Sequence, residues 1–326
     1  MPHAVVTDSG APILPEGFAG RPAEPADAPA VAALINEASV AAIGVPCIGA
    51  KEVAGWFERP TFDRARDSVV VVDQQDLVAA YVDFYTYEVN HDVFFDGYVH
   101  PAQRGKGIGD ALIRYAIDEF HRRAATVEGL TDLATWCHAA EDGATALFER
   151  HGFEEVRRHY KMSVELGDAV LPVMPEGIEI RTYVAGTDDA AMHASYEGGF
   201  ADHWKHAARA TETFIWDVTQ REGAEPGLAF LACRGDEIVG GSICRPDPED
   251  PSGGYVDDLW VVPEWRRRGL ALALLRHSFE AFRARGSSRV GLGVDAHSTT
   301  GAMQLYERAG MKVVREAISF HKRVAP

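Results

Sequence analysis

The chain has 326 residues, about twice the length of a typical single domain, so we expect two domains. Hydrophobic residues make up 46% and charged residues 25%, a composition that is ordinary for a globular protein and excludes disorder of the whole chain. The 32 basic and 49 acidic side chains give a net charge of −17, which repels phosphate backbones and anionic lipid surfaces and therefore argues against nucleic-acid and membrane partners. A cationic small substrate is compatible with this charge, as is an acidic surface that is simply solvated.

The sequence gives no signal for export, membrane insertion or metal binding. The apolar run at 270–275 is far shorter than the roughly 20 residues that a bilayer requires, and residues 1–15 lack the basic cluster and apolar core of a signal peptide. The four cysteines stand singly, without metal-ligand spacing. We therefore expect reduced thiols, no metal site and a cytoplasmic location.

Hydrophobic patterns in the first half predict strands alternating with helices. The polar turn at 73–76 separates two β-rich runs as in a hairpin, and Asp27 is the expected cap of the first helix. The predicted elements, in order, are strand 18–21, a helix to about 42, strands 68–72, 77–85 and 91–99, helix 107–123, strand 133–137, helix 142–151 and strand 154–162.

The second half has the same predicted order. Its elements are strand 178–183, a helix from about 187, strands 228–234, 237–244 and 254–262, helix 269–285, strand 289–294, helix 299–309 and strand 312–321. Hairpins followed by strand–helix–strand units predict a mixed α/β sheet in each half.

Two sequence segments occur twice in the chain. Residues 99–109, VHPAQRGKGIG, are echoed 162 residues later by VVPEWRRRGLA, and residues 147–153, LFERHGF, are echoed 158 residues later by LYERAGM. A period of this length indicates domain duplication rather than a solenoid. Residues 167–177 contain two prolines and are the expected linker, so we predict domains at 16–166 and 176–326.

The repeated loop has the features of a phosphate-binding site. A strand precedes it and a long helix follows, so the loop amides and the helix N-terminus point at one place, where the helix dipole adds roughly half a positive charge. A tight turn at a helix start would give the same pattern once, but two copies in matching context favour an anion site. The predicted phosphate-binding residues are Arg104, Gly105, Lys106, Gly107, Ile108 and Gly109 in the first copy and Arg266, Arg267, Arg268, Gly269, Leu270 and Ala271 in the second.

These loops, each followed by a Leu-(Tyr/Phe)-Glu-Arg-x-Gly motif, resemble those of the GNAT superfamily of acyl-CoA-dependent N-acetyltransferases, and the duplicated chain resembles its tandem two-domain members. The resemblance implies two GNAT-like domains, each a mixed, mostly antiparallel sheet flanked by helices. It also implies acetyl-CoA as co-substrate, with its pyrophosphate on the loop and its pantetheine arm pairing like an extra strand beside the preceding strand. The strand residues concerned are Tyr98 and Val99 in the first half and Leu259, Trp260 and Val261 in the second.

Two other nucleotide-binding folds do not fit the glycine-rich loops. A dinucleotide-binding fold requires an acidic ribose-binding residue at a set distance after a first strand–helix turn, and none is found there. A P-loop requires a Gly-Lys-Ser/Thr sequence, which does not follow either loop.

Acetyl transfer to an amine needs a base for the ammonium proton and benefits from an acid for the departing thiolate. A lysine-like ammonium group has a pKa near 10.4, so its deprotonation at pH 7 costs roughly 4–5 kcal/mol. The adjacent Asp257 and Asp258 lie on the predicted strand before the loop and, by strand alternation, are expected on opposite faces. The resemblance places Asp257 at the position of the base and Tyr306 at that of the acid; a solvated carboxylate and a packed tyrosine are the alternatives.

The first half has Phe95 and Phe148 at the matching positions, and neither ring can exchange a proton. We therefore expect the first domain to bind CoA or to be structural, with the chemistry in the C-terminal domain. The resemblance points the same way, because in tandem relatives the C-terminal half is the active one.

The acceptor is predicted only by class, as a primary amine of a small molecule. Asp258, His203 and Trp204 are the candidate substrate-binding residues, although an ordinary loop would also explain the last two. The acceptor of the tandem relatives, an antibiotic, a polyamine and an amino sugar all remain open. So do two other functions: a non-enzymatic acyl-CoA-binding scaffold, against which Asp257 and Tyr306 argue, and aminoacyl-tRNA-dependent transfer, which the net charge disfavours.

Overall fold

A computed structural model describes residues 11–59, 61–87, 92–169, 172–206, 208–298 and 300–324. The chain divides into two compact units. The first unit comprises Met1–Arg157 and Ala317–Pro326, and the second comprises Arg158–Glu316.

The first sequence half forms six strands and five helices among its described residues. In chain order these are β1 (Phe18–Arg21), α1 (Ala28–Ile43), α2 (Ala50–Phe57), α3 (Arg64–Asp67), β2 (Ser68–Asp73), β3 (Val78–Tyr87), β4 (Asp92–Val99), α4 (Ile108–Ala124), β5 (Asp132–His138), α5 (Asp142–Arg150) and β6 (Glu154–Glu165).

The second sequence half repeats this order with one helix fewer before its first hairpin. Its elements are β7 (Glu179–Thr182), α6 (Asp189–Phe200), α7 (Thr211–Thr219), β8 (Ala229–Arg234), β9 (Glu237–Asp247), β10 (Asp250–Val261), α8 (Leu270–Ala284), β11 (Arg289–Asp295), α9 (Ala302–Arg308) and β12 (Lys312–Arg323).

Each unit contains a mixed, mostly antiparallel sheet, which confirms the predicted fold class. The first unit has the strand order β1-β2-β3-β4-β5-β12, in which β4 and β5 are parallel. The second has the order β7-β8-β9-β10-β11-β6, in which β10 and β11 are parallel. The final strand of each sequence half thus pairs within the other half's unit: β12 pairs with β5, and β6 pairs with β11.

Helix α1 packs its apolar stripe on one face of the first sheet. Val31, Leu34, Ile35 and Ala38 recur at the helical spacing i, i+3, i+4 and i+7, and all four are buried. Val31, Leu34 and Ile35 share a hydrophobic cluster with Tyr81 of β3. Helix α4 covers the other face, where its residues join a separate cluster.

In the second unit, β10 separates two hydrophobic clusters. Val256 packs in the cluster that contains Leu275 and Phe279 of α8. Trp260 packs in the other cluster, which contains Tyr196 of α6. These contacts define an α8 face and an α6 face of the second sheet, and the candidate site is described relative to them.

The predicted strands and long helices are found within a few residues of their expected bounds. The short helices α2, α3 and α7 were not predicted, and the proposed starts of a strand at His91 and of a helix at Thr299 lie outside the described residues. We expected no segment with the length and apolar composition of a membrane span, and in that respect the expectation was wrong. Residues Pro25–Ile43 have both properties, which packed core helices also have, and they include α1, whose apolar stripe is buried in the first unit.

Candidate active site

Strand β10 is irregular where it carries the two adjacent aspartates. Its register with β9 pairs Val256 with Cys244 and Asp258 with Ile243, so Asp257 is one extra residue on the β10 side. Such an insertion is a β-bulge, which interrupts the alternation of side chains along a strand. The expectation that the two aspartates point to opposite faces, which assumed unbroken alternation, was wrong.

The contacts of the aspartates place both of them on the α6 face. Tyr196 of α6 donates a hydrogen bond from its hydroxyl to Asp258 Oδ1 at 3.3 Å. Asp257 accepts a hydrogen bond from Arg245. Cys244, the residue before Arg245 on β9, is buried in the cluster on the α8 face, so strand alternation directs Arg245 to the α6 face. The bulge therefore brings two carboxylates side by side on one face of the sheet.

Asp257 is held by two guanidinium groups. Arg245 Nε lies 3.0 Å from both of its carboxylate oxygens, and Arg221, just beyond α7, donates to Oδ2 from Nη2. Because both oxygens already accept charged hydrogen bonds, Asp257 has the contacts of an ion-paired group that fixes the bulge.

Asp258 has different surroundings from Asp257. Burial raises the pKa of the Asp258 carboxyl to about 6; the charge of Asp257 adds to the rise, while Arg209 and Arg221 oppose it. Its hydrogen bond from Tyr196 is long, and it forms no ion pair among the described residues. A carboxylate with a pKa in this range is a far better proton acceptor near neutral pH than an ordinary aspartate.

Tyr306 of α9 is buried and remains protonated at neutral pH. Burial, followed by the charge of Asp258, raises the pKa of its hydroxyl to about 12, so the two groups are within electrostatic reach of each other. Its side chain packs in the cluster with Phe279 and Met311, and within the described part of the chain its hydroxyl has no hydrogen-bond partner. Its proton is therefore available to a ligand.

The two parallel strands at the site separate just before the bulge. The β10–β11 register runs from Gly254 opposite Val290 to Val256 opposite Leu292 and ends there. From Asp258 onward β10 pairs with β9 alone, as far as the described residues show. One backbone edge of the segment 259–261, predicted to pair with pantetheine, is therefore open to an extended ligand.

The second glycine loop presents its backbone more than its side chains. Gly269 caps α8 in a left-handed conformation with φ of 84°, and a Cβ placed there would meet no atom within 4 Å. Arg266, predicted to bind phosphate, instead donates to Asp202 at 2.9 Å and to the Gly199 carbonyl at 2.9 Å. Arg266 thus ties the loop to the end of α6, and the backbone amides at the start of α8 remain as donors that could bind an anion.

The other two arginines of this loop, Arg267 and Arg268, are exposed. Arg267 has a φ of 63°, and the guanidinium of Arg268 stacks 4.6 Å from the centre of the Trp265 ring. Leu270 is buried in the adjacent core, and Ala271 packs beside it in the first turn of α8.

The first glycine loop has the same backbone geometry. Gly107 caps α4 with φ of 86°, and Gly105 has φ of 78°. Lys106 Nζ donates to Gln103 Oε1 at 2.6 Å, and Arg104 lies 3.8 Å from Glu141. The helix start and its small residues are thus present in both units.

A series of aromatic ring contacts connects the predicted substrate segment after α6 with the carboxylates. His203 is exposed, and its ring lies 5.7 Å from that of Phe200. The Phe200 ring lies 4.6 Å from that of Tyr196, which donates to Asp258. Trp204 follows in the same loop and is half-buried.

In the first unit, the rings at the matching positions belong to the hydrophobic core. Phe95 is 2% exposed and Phe148 7% exposed, and their ring centroids are 6.5 Å apart. Strand β4 has no bulge, so Phe95 turns toward α4 while Asp96 points to the opposite face.

Four side chains around the carboxylates were not singled out from the sequence. They are Tyr196, Arg209, Arg221 and Arg245. None belongs to a repeated motif, and their proximity depends on the bulge and on α7, which the hydrophobic pattern did not indicate.

Comparison with known proteins identifies the fold and the class of enzyme. Residues 190–311 match the acetyltransferase (GNAT) family, and residues 65–155 match an acetyltransferase (GNAT) domain. The chain belongs to the GNAT acetyltransferase family and contains two GNAT domains in tandem, as the sequence motifs predicted.

Its relatives include tandem proteins that align over nearly the whole chain. Mycothiol acetyltransferase of Geodermatophilus obscurus is 30% identical over 299 residues, which cover 88% of this chain and 91% of that protein. The crystal structure of a GCN5-related N-acetyltransferase from Sphaerobacter thermophilus is 33% identical, with a TM-score of 0.80 over 96% of this chain and 98% of that one. A tandem GNAT protein from the clavulanic acid biosynthesis pathway shares the fold, with a TM-score of 0.72 at 16% identity over 95% of this chain and 99% of that one. These similarities identify the chain as an N-acetyltransferase.

Proposed function

We propose that the second unit transfers an acetyl group from acetyl-CoA to the primary amine of a small molecule. The observation that carries the proposal is the position of Asp258, a carboxyl with a pKa of about 6 beside the open edge of β10 and within electrostatic reach of the buried Tyr306. The loop amides at Gly269 would receive the pyrophosphate, and the open edge of 259–261 would pair with pantetheine.

In this proposal Asp258, rather than the neighbouring Asp257, accepts the proton of the ammonium group. The amine nitrogen then attacks the thioester carbonyl carbon, so that a C–N bond forms and the C–S bond breaks. The departing thiolate takes a proton from the Tyr306 hydroxyl. The nitrogen then loses its second proton, which restores the Tyr306 hydroxyl, and the proton on Asp258 is released to solvent. The products are the acetamide and free CoA. Asp257 keeps its pairs with Arg221 and Arg245 and maintains the bulge that presents Asp258.

The first unit lacks the proposed acid, since Phe148 takes the place of Tyr306 and is packed in its core. It keeps a carboxyl, Asp96, at the position that matches Asp258, but the buried Phe95 replaces the neighbouring Asp257. We propose that it contributes a second CoA or anion site at Gly107, or a structural scaffold, and that the duplicated domains are those at 16–166 and 176–326. A cytoplasmic location accords with an acetyl-CoA-dependent reaction.

An amine screen tests the reaction directly. The full chain is incubated with acetyl-CoA and one acceptor at a time. The acceptors are the amine precursor of mycothiol, chosen because a relative is a mycothiol acetyltransferase, and glucosamine, a polyamine and an aminoglycoside. Release of free thiol and the mass of the product are followed. We expect thiol release in step with an acetylated product for at least one primary amine. Thiol release that is equal with and without every acceptor would contradict the proposal.

A further inference from the structure

The first unit carries a pair of carboxyl groups that the repeated motifs did not reveal. Asp83 of β3 and Asp96 of β4 stand directly opposite each other in the antiparallel register of these strands. Directly opposite side chains have Cβ atoms about 4.5–5.5 Å apart, and like charges at such positions are destabilising. In the second unit the corresponding partner of Asp258 is the apolar Ile243, so the pairing of two acids is particular to the first unit.

One of these carboxyl groups has an unsatisfied oxygen. Asp83 is 8% exposed; its Oδ2 accepts a hydrogen bond from the Tyr81 hydroxyl at 3.1 Å, whereas Oδ1 is buried and has no partner in the described part of the chain. An unpaired buried carboxylate oxygen costs free energy that a bound donor would recover. Neither Asp83 nor Asp96 forms an ion pair with any residue that the structure describes.

Aromatic rings flank the two carboxyl groups on the same sheet face. The rung on one side joins Tyr81 to Tyr98, and the rung on the other joins Tyr85 to Phe94, whose rings stack with centroids 5.5 Å apart. The Tyr85 hydroxyl donates to Asp96 at 3.3 Å. Burial raises the pKa of the Asp96 carboxyl to about 6, and Tyr85 and the 38% exposed Trp136 of β5 oppose that rise.

Carboxylates that supply acceptors and rings that supply negative π faces together suit an ammonium ion. We propose that the first unit binds a small protonated amine at the Asp83–Asp96 pair, against the aromatic rings that flank it. Asp96 and Tyr98 are only half-buried, so a ligand can approach from the Asp96 side, while Asp83 itself is buried. This site is independent of the chemistry proposed for the second unit.

Binding is measured by calorimetry with n-butylammonium chloride as probe, without acetyl-CoA, on the full chain carrying Asp258→Asn. That background removes the free carboxylate of the second unit. We expect saturable binding of one ion, which Asp83→Asn and Asp96→Asn each weaken by about tenfold or more, as loss of a charged hydrogen bond would do. Glu128→Gln, which removes one exposed acidic charge from the same unit, is the matched control and should leave the affinity unaltered.

Three results would overturn the proposal: equal affinity in both aspartate variants and the control, equal binding of uncharged n-butanol, or binding of MgCl2 alone with none of the amine. Trp136→Leu gives a second test on a side chain outside the core, with an expected loss of about two- to fivefold for one exposed cation–π contact. Circular dichroism and the thermal midpoint of each variant report whether it is folded. This binding test uses no acetyl-CoA and does not measure acetyl transfer. Its failure would therefore leave the catalytic proposal for the second unit intact.

Discussion

Asp257 and Asp258 are neighbours in the sequence with the same side chain, and their surroundings give them different properties. Two guanidinium groups engage the oxygens of Asp257, while Asp258 is desolvated beside a tyrosine. A general base needs a lone pair that is free and a pKa close to the working pH, and Asp258 meets both requirements. The family resemblance favoured Asp257, because it aligns positions along the strand and contains no information about ion pairs.

The acid is tested by Tyr306→Phe, which removes one hydroxyl from a buried ring. We expect kcat to fall by a factor of about 10²–10⁴, the usual range for loss of a general acid, with little change in acetyl-CoA affinity. Steady-state kinetics and calorimetry with CoA measure the two quantities. Leu305→Ile, an apolar exchange at the preceding residue of α9, is a control for disturbance of the helix. Turnover equal to that of the control would mean that the thiolate is protonated by another group, such as water.

At the scale of elements, the bulge in β10 and the early end of its pairing with β11 create the proposed site. The bulge turns two carboxylates to one face, and the separation of the strands leaves a backbone edge open beside them. Strand β4 also parts from β5 early, after Phe94 opposite Ala134, but has no bulge. The same fold thus gives an open edge in both units and adjacent carboxylates only in the second.

The loop amides at the start of α8 are tested by Gly269→Val. The bulky side chain would stand where we propose that the pyrophosphate binds, so acetyl-CoA affinity should fall by at least about tenfold. The left-handed φ also adds strain of about 1–3 kcal/mol, which lowers the thermal midpoint. Gly286→Val at the other end of α8 is the matched control, because Gly286 has the same φ of 84° and the same open surroundings. Equal CoA affinity in the two variants would place the phosphate site elsewhere.

The hydrophobic periodicity and the turn and capping residues predicted most strands and the long helices, because these elements depend on local sequence. β1 was predicted at its observed bounds, and α4 and α8 within a residue or two. The bulge at Asp257, the Asp83–Asp96 rung and the partners of Arg266 depend on strand register and on packing between distant segments. A single sequence contains no direct signal for register, so the loops and the tyrosine could be proposed, but the ion pairs around the site could not.

On the scale of the whole molecule, duplication has kept the loops of both units while the reactive positions diverged. Gly107 and Gly269 cap equivalent helices with φ of 86° and 84°. Phe148 and Phe95, both packed in the first core, replace Tyr306 and Asp257 of the second unit, whereas Asp96 keeps a carboxyl at the position that matches Asp258. We infer an asymmetric enzyme in which one unit reacts and the other binds.

Paired valine substitutions test this asymmetry in the full chain. Gly269→Val should reduce turnover at least about tenfold more than Gly107→Val, since only the second unit is proposed to transfer acetyl groups. Both changes impose a left-handed conformation on valine, so each is a control for the strain in the other. Turnover is compared at saturating amine over a range of acetyl-CoA concentrations. The reverse ranking would assign the reaction to the first unit.

The pH dependence of kcat/KM in Asp258→Asn and Asp257→Asn tests most directly which carboxylate is the base. In the unsubstituted protein, activity should fall below pH 6, because a base with a pKa of about 6 is protonated there. Asp257→Asn should keep this acidic limb but move it to lower pH, since it removes a charge that raises the pKa of Asp258 and frees Arg221, whose charge lowers it. Asp258→Asn should reduce kcat/KM by about 10²–10⁴ and abolish the limb. Loss of the limb in Asp257→Asn, with its retention in Asp258→Asn, would contradict the proposed site.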